Sequence, residues 1–432
     1  MRLGESPQEG TEPEQRLPQE THEAKEDREE REPLGIDFYV TDHNLRYADR
    51  SSLERQRSLY AEMKNHGITS VRFDMDWKAM VPEQGTGQSR EIMERYANAM
   101  KLMQEAGLKP PTIVISNPPE WATKLYQEGD KEGYFNAWQD YLTSVAETMK
   151  ASGTEVQMVQ MFNEINHAQL FRFADTEDLP RMVGMVRETL GTVQPDLKLS
   201  TSLIVGNIND KIPEKLRAKD RPPLREFLTK YESILKEFDS ISLDYYPGVW
   251  HQPLKEAGYS AKDTYKQLGA LKEVCERISA WGKDYEIGEV GFPTIAGSSE
   301  KRQRYFYDSF FRAFRQLMVD FKKRDISLPG RVGLFETEDE PNTSFGGVAE
   351  KILKAGGIRQ LTDAVNPEHH WGLMREGGFE PKSVLKGSRH KPKEEIIGLH
   401  LNDPAEASWL SKIIKYVNRP VPKEETAENI SL

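Results

Sequence analysis

The stretch "TSVRFDMDW", Thr69–Trp77, alternates apolar and polar side chains and is bracketed by helix signals on both sides. Ahead of it, "NHG" (Asn65–Gly67) closes an amphipathic run near 51–65 as a glycine C-cap does, and behind it a second run covers about 89–107. The next apolar segment, "PTIVIS" (Pro111–Ser116), follows "EAG" (Glu105–Gly107) at once. A strand of period two, a helix of period 3.6 and another strand make a βαβ unit, and such units require a parallel sheet.

The rhythm extends in both directions. "GIDFYV" (Gly35–Val40) precedes it, and "VQMVQMFNE" (Val156–Glu164), "LKLSTSLIVG" (Leu197–Gly206) and "SISLDYYPG" (Ser240–Gly248) follow. "YEIGEVGFPT" (Tyr285–Thr294) and "RVGLFETEDEP" (Arg331–Pro341) complete eight strand candidates. Helix candidates near 134–151, 179–192, 223–237, 262–280 and 299–324 separate them. Eight units predict an α/β fold of the (β/α)8 TIM-barrel type. A doubly wound sheet would call for a glycine-rich phosphate turn, and neither G-x-G-x-x-G nor G-x-x-x-x-G-K-[ST] occurs.

The barrel is expected over 34–378. Residues 1–33 hold 11 acidic against 5 basic residues with no aromatic side chain, so they read as a disordered acidic arm. After the eighth strand the periodicity weakens. A C-terminal extension, 379–432, carries one amphipathic helix near 404–418 that either packs on the barrel or frays.

The net charge of −11 among 432 residues argues against nucleic-acid partners and anionic membrane surfaces. The single cysteine, Cys275, excludes an internal disulfide and reads as a buried structural thiol among Leu271, Val274 and Ile278. No segment approaches the roughly 20 apolar residues of a membrane span. The N-terminus lacks the apolar region of a secretory signal. A cytoplasmic location is therefore expected, unless a leader or anchor has been removed.

In this barrel, reactive side chains gather at the carboxyl ends of the strands. Strand two ends near Arg72 and Trp77, strand three at Asn117 with Trp121 beyond, and strand four at Asn163, Glu164 and His167. Strand six gives Asp244, Tyr245 and Tyr246, followed by Trp250 and His251. Strand seven ends at Glu289, and the eighth leads to Glu336, Asp339 and Trp371. Carboxylates with tyrosine and tryptophan, and no lysine or cysteine nucleophile, suit acetal cleavage: one carboxyl protonates the leaving oxygen, another works on the opposite face, and indole rings stack on sugars. Each residue also has a plain structural role available. Asn-Glu at a strand end can simply start a helix, and His369-His370 in an extended segment point to opposite faces, which disfavours a shared metal. Of the two glutamates in strand seven, alternation predicts opposite faces, with Glu286 structural and Glu289 in the mouth.

The motifs "SVRFDMDW", "NPPEWA", "MFNEIN", "LDYYPG", "GEVGFPT" and "FETEDEP…NPEHHWGL" together resemble the clan A, or 4/7, superfamily of retaining (β/α)8 glycoside hydrolases. The likeness is to cellulase-like, β-1,3-glucanase-like and endo-galactanase-like members, and it runs from about Gly35 to Leu373. It implies Glu164 as acid/base and Glu289 as nucleophile of a double displacement on a β-linked oligo- or polysaccharide, without cofactor or metal. It also implies Asn163 on the sugar 2-hydroxyl and Arg72 keeping Glu289 ionised. Tyr245 is implied as the hydrogen-bond donor to the nucleophile, with Tyr246 as the competing choice, and Trp121 and Trp371 as sugar platforms. Three positions depart from the pattern: Asn117 replaces a common histidine, Ile165 a common proline, and Phe335 and Glu336 stand where a tryptophan usually closes strand eight. A transglycosylase and a non-catalytic glycan-binding barrel are the alternative readings.

Overall fold

A computed structural model describes residues 33–43, 45, 52–85, 88–167, 174–205, 222–246, 268–291, 300–335 and 409–420. Eight parallel strands close into a barrel in the order β1 to β8. They are β1 (Asp37–Asp42), β2 (Ser70–Asp76), β3 (Thr112–Ser116), β4 (Met158–Met161), β5 (Leu199–Ile204), β6 (Ser240–Tyr245), β7 (Asp284–Val290) and β8 (Arg331–Leu334). The helices described around them are α1 (Leu53–Asn65), α2 (Trp77–Met80), α3 (Arg90–Glu105), α4 (Glu120–Gln127), α5 (Lys131–Ser152) and α6 (Leu179–Gly191). The ring continues with α7 (Leu224–Lys230), α8 (Glu232–Leu235), α9 (Gly269–Ala280), α10 (Glu300–Lys323) and α11 (Trp409–Val417). None is long and apolar enough to cross a membrane.

Strand alternation divides the barrel into two environments. Outward side chains such as Phe38, Val40, Phe73, Ile113, Val159, Leu243, Ile287 and Val332 are fully buried against the helices and form one continuous core. Cys275 lies in that core on α9, where burial pushes its thiol well above the ordinary range. Inward side chains are mostly polar: Tyr39, Thr41, Arg72, Thr112, Gln160, Ser200, Ser202, Ser242, Asp244, Glu286, Glu289 and Arg331 are all buried. A barrel interior is usually filled by branched apolar residues. A polar one must instead satisfy its own hydrogen bonds.

Helix α11 takes the place of an eighth helix in the ring. Ile414 packs over Gly67 at the end of α1, and the Ser411 hydroxyl donates to His66 O. The Asn418 side chain pairs with both backbone groups of Ile36 at 2.8 Å, closing the entry to β1. Arg315 on α10 donates to Tyr416 O and Pro420 O, tying down the end of α11. The acidic arm and the rest of the extension lie outside the described residues.

One register irregularity matters for the site. Ile287 pairs with Leu243 but Glu289 pairs with Asp244, so Gly288 is an extra residue in β7. On the other edge, the step from Ile287 to Val290 spans only Val332 to Leu334. This is a β-bulge seen from both neighbours, and it shifts alternation by one. Glu286 and Glu289, expected on opposite faces, consequently both point into the barrel. The bulge needs glycine: a Cβ on Gly288 would stand 2.0 Å from Ser242 Oγ, and one on Gly333 would stand 2.0 Å from Gly288 O.

Candidate active site

Glu286 lies on the floor of the barrel. Arg331 donates to its Oε2, while Tyr39 and Ser242 donate to Oε1 at 3.1 Å. Arg331 is anchored in turn on Thr112 at 2.9 Å and Gln157 at 2.7 Å. Both oxygens of Glu286 and both terminal nitrogens of Arg331 are thus answered by protein. The expectation that Glu286 is structural agrees with this, although the bulge turns it inward.

One step up, Glu289 meets a second guanidinium. Arg72 Nη1 donates to Glu289 Oε1 at 2.6 Å, and both side chains are nearly inaccessible to solvent. Arg72 also donates to Gln160 Oε1 at 2.9 Å, Thr41 Oγ1 at 3.3 Å and Asn163 Oδ1 at 3.1 Å. Burial works against its charge, but Glu289, Asp244 and Asp74 more than offset that, so the guanidinium is held charged above its ordinary range.

The tyrosine on the nucleophile candidate is Tyr246: its hydroxyl donates to Glu289 Oε2. Tyr245 is the corrected member of the pair, because alternation along β6 turns Asp244 inward and Tyr245 outward. Its ring packs near Phe310 of α10 at 6.2 Å. Burial, reinforced by Glu289 and Asp244, pushes the Tyr246 phenol well above its usual range and keeps it a donor.

The second glutamate is presented by a turn after β4. Phe162 and Glu164 adopt left-handed backbone angles, φ 61° and 48°, which side-chain-bearing residues occupy only when their surroundings impose it. The Glu164 N–H donates to Ser202 Oγ at 2.7 Å, and the Phe162 ring stacks on Trp138 with centroids 5.3 Å apart. His167 is buried, its N–H donating to Glu164 O. Between these strained positions, Asn163 Oδ1 accepts from Arg72, from Gln160 at 3.2 Å and from Ser202 at 2.8 Å. With its carbonyl saturated, the amide NH2 is the group Asn163 can present to a ligand.

One carboxylate oxygen from each of Glu164, Asp244 and Glu289 lies within 4.8 Å of the others, and all three residues are buried. Among the described residues this is also the set with spacing that could share a cation, and Arg72 already places a positive charge on it. Burial, then the charge of Glu289, pushes the Asp244 carboxyl well above its ordinary range against the opposing pull of Arg72.

At the end of β3, Asn117 also has a left-handed backbone, φ 57°, and its amide donates to Asp76 Oδ2 at 3.3 Å. Trp121 is half-buried. Its indole N–H donates to Val81 O at 3.3 Å, and its ring stands edge-on to Trp77 with centroids 6.4 Å apart. Trp77 itself is fully buried among Trp138, Tyr141 and Tyr134. Trp371, Trp250, His251, Glu336, Asp339 and His369–His370 lie outside the described residues. Ser202, Gln160 and Thr41 also line the site, and as single polar residues within strands they carry no local sequence signal. Asp244 stood at a strand end, but no role was attached to it.

A closed eight-stranded barrel with two carboxyls meeting from β4 and β7 defines a class, and solved structures share the fold. A GH5_18 enzyme from Streptomyces cattleya, determined in complex with GlcNAc, superposes with TM-score 0.56 at 13% identity over 90% of this chain and 82% of its own. An exo-β-1,4-mannosidase from Opitutaceae bacterium strain TAV5 gives 0.55 at 14% identity over 80% of this chain and 57% of its own. A family 1 β-glucosidase from Thermotoga maritima gives 0.51 at 14% identity over 80% and 94%. In sequence, residues 43–305 match the model of glycosyl hydrolase family 53, a span that contains both glutamates. The chain belongs to that family, within the clan A (β/α)8 glycoside hydrolases. It is also 25% identical, over 206 residues, to an uncharacterized protein encoded in the bgaB 5' region of Niallia circulans. The match covers 44% of this chain and 53% of that relative, so the chain spans about half the relative's length.

Proposed function

We propose that the protein hydrolyses β-glycosidic bonds with retention of configuration, by double displacement between Glu164 and Glu289. The observation that carries this reading is the oxygen-to-oxygen approach of the two glutamates within 4.8 Å. Retaining enzymes hold their carboxyls about 5–5.5 Å apart, whereas inverting enzymes leave about 6.5–9.5 Å for a water molecule. Arg72 and Tyr246 occupy one oxygen each of Glu289 and aim it as a nucleophile. Glu164, on its strained turn, protonates the leaving oxygen and later deprotonates water. The Asn163 amide meets the sugar hydroxyl beside the reacting carbon. Asn117 and Trp121 at the end of β3 supply further sugar contacts; the resemblance assigns the same role to Trp371, outside the described residues.

The fold neighbours act on different sugars, so fold does not choose one. Family membership, and the resemblance of "GEVGFPT" to the endo-galactanase pattern, make β-linked galactan the first polymer to offer. The test is a screen of aryl β-glycosides and β-linked polysaccharides with wild type and Glu289→Ala side by side. Turnover by the wild type alone supports the assignment. Equal turnover by both would remove Glu289 from the mechanism, and no turnover by either would favour the glycan-binding reading, to be followed by binding measurements. In the presence of added acceptor sugars, longer products would mark a transglycosylase.

A further inference from the structure

The mechanism above uses two carboxyls, but the site contains three. Asp244 is fully buried; neither carboxyl oxygen makes a well-formed hydrogen bond among the described residues, and the Ser202 hydroxyl acting on it offsets only part of the effect of burial. The Ser202 hydroxyl beside it is already committed to Asn163 and to the Glu164 N–H. A buried carboxyl left in this state is costly unless it holds a proton or has a later use for its charge.

We propose that Asp244 is the reserve counter-ion of Arg72, a positioning residue that stays neutral while Glu289 bears its charge and ionises once Glu289 is esterified. This rests on the double-displacement reading given above. The geometry supplies the reason. Asp244 pairs with Glu289 across β6 and β7, and its carboxyl lies within 4.8 Å of those of Glu289 and Glu164. After Glu289, it is the next anionic side chain acting on the Arg72 guanidinium. The other polar groups around it are Tyr39 from β1, Ser202 from β5, Glu286 from β7 and Tyr246 beyond the end of its own strand. Arg72 is the cation among them.

Attack by Glu289 forms a carbon–oxygen ester bond, the leaving group departs with the Glu164 proton, and the negative charge on Glu289 disappears. Arg72 is then left beside a neutral ester. Glu164 is now the carboxylate that will activate water; once the leaving group has gone and water has entered the mouth, the Asp244 O–H gives its proton to that water, and the resulting carboxylate takes over as partner of Arg72. Its negative charge also makes the neighbouring Glu164 carboxylate a stronger base for the second half-reaction. When water cleaves the ester, Glu289 regains its charge and Asp244 takes a proton back.

The test uses the full chain and a readout independent of turnover. Infrared difference spectra of wild type against Asp244→Asn, at pH 7, isolate the carbonyl stretch of a protonated Asp244. The band is expected in the wild type, and absent from Glu289→Gln when that variant is compared with Glu289→Gln/Asp244→Asn. A band that persists without the Glu289 charge overturns the proposal, as does its absence from the wild type. Asp244→Ser, which removes the carboxyl without adding bulk, provides a second subtraction. Kinetically, on an activated aryl glycoside whose deglycosylation limits kcat, Asp244→Asn should lower kcat about tenfold with a much smaller change in kcat/KM. Equal losses in both would indicate a merely structural role. If the infrared bands behave as described while no glycoside is turned over, the counter-ion pairing stands and the hydrolase reading falls. If glycosides are hydrolysed and the band persists, only the counter-ion proposal falls.

Discussion

Two buried carboxylate–guanidinium pairs sit one above the other in the barrel, three residues apart on the same strand, and they are built for different ends. In the floor pair, Glu286 and Arg331 are enclosed by Tyr39, Ser242, Thr112 and Gln157, so both carboxylate oxygens and both terminal guanidinium nitrogens have fixed partners. In the mouth pair, Glu289 and Arg72 share their space with Glu164 and with Asp244, whose carboxyl makes no well-formed hydrogen bond among the described residues. The floor is satisfied and closed. Among the described residues the mouth holds three carboxyl groups to one guanidinium, the imbalance on which the proposed charge transfer depends.

The comparison breaks most visibly when the carboxylates are removed in turn. Glu289→Ala should lower turnover by about 10⁴-fold or more, with partial rescue by azide or formate giving product of inverted configuration. Glu286→Ala should do the reverse. It leaves Arg331 buried without a counter-charge, at a cost of about 3–5 kcal/mol in a denaturant or thermal melt, while activity per folded molecule is retained. Full activity in Glu289→Ala, or lost catalysis in a folded Glu286→Ala, would erase the distinction between the two pairs.

The tyrosines sharpen it further. Tyr246→Phe removes a hydrogen bond to Glu289 and should reduce kcat by about 10–100-fold, whereas Tyr245→Phe, on the outer face, should change kcat less than about twofold. Steady-state kinetics of the two variants decide it, and the opposite ranking would reverse the assignment of faces on β6.

The smallest expected effect concerns stability. The carboxyl of Asp244 is held above its ordinary range by burial, so folding takes up a proton between its unfolded pKa, near 4, and its raised folded value. Across that window the wild type loses stability as pH rises. Asp244→Asn escapes this loss, so its melting temperature should match the wild type near pH 4 and exceed it by a margin that widens as pH rises toward 7–8. An advantage that does not grow with pH would show that the Asp244 proton is not the cause.

Much of the fold was legible because hydrophobic periodicity is a local property. "TSVRFDMDW" and its seven counterparts each alternate with an amphipathic run, and chain order sets neighbours in a parallel barrel. The two glutamates were legible because strand ends are local as well. What escaped was parity. Nothing beside Gly288 announces a bulge, which arises from the close packing of Gly288, Gly333, Tyr39 and Ser242 across four strands. Without the bulge, simple alternation turns Glu286 to the outer face. Tyr245 was preferred to Tyr246 for a similar reason, because the choice depends on how far β6 alternates before it ends. Ser202 and Gln160, which orient Asn163 and the Glu164 turn, are ordinary strand residues until their partners are known.

A covalent intermediate requires Glu164 and Glu289 to lie as close as they do, and the anomeric configuration of the first-formed product reports on that directly. Proton NMR of a β-glycoside during the first turnovers should show the β-anomer appearing first and mutarotating later. The α-anomer appearing first would mean direct displacement by water, and would contradict it.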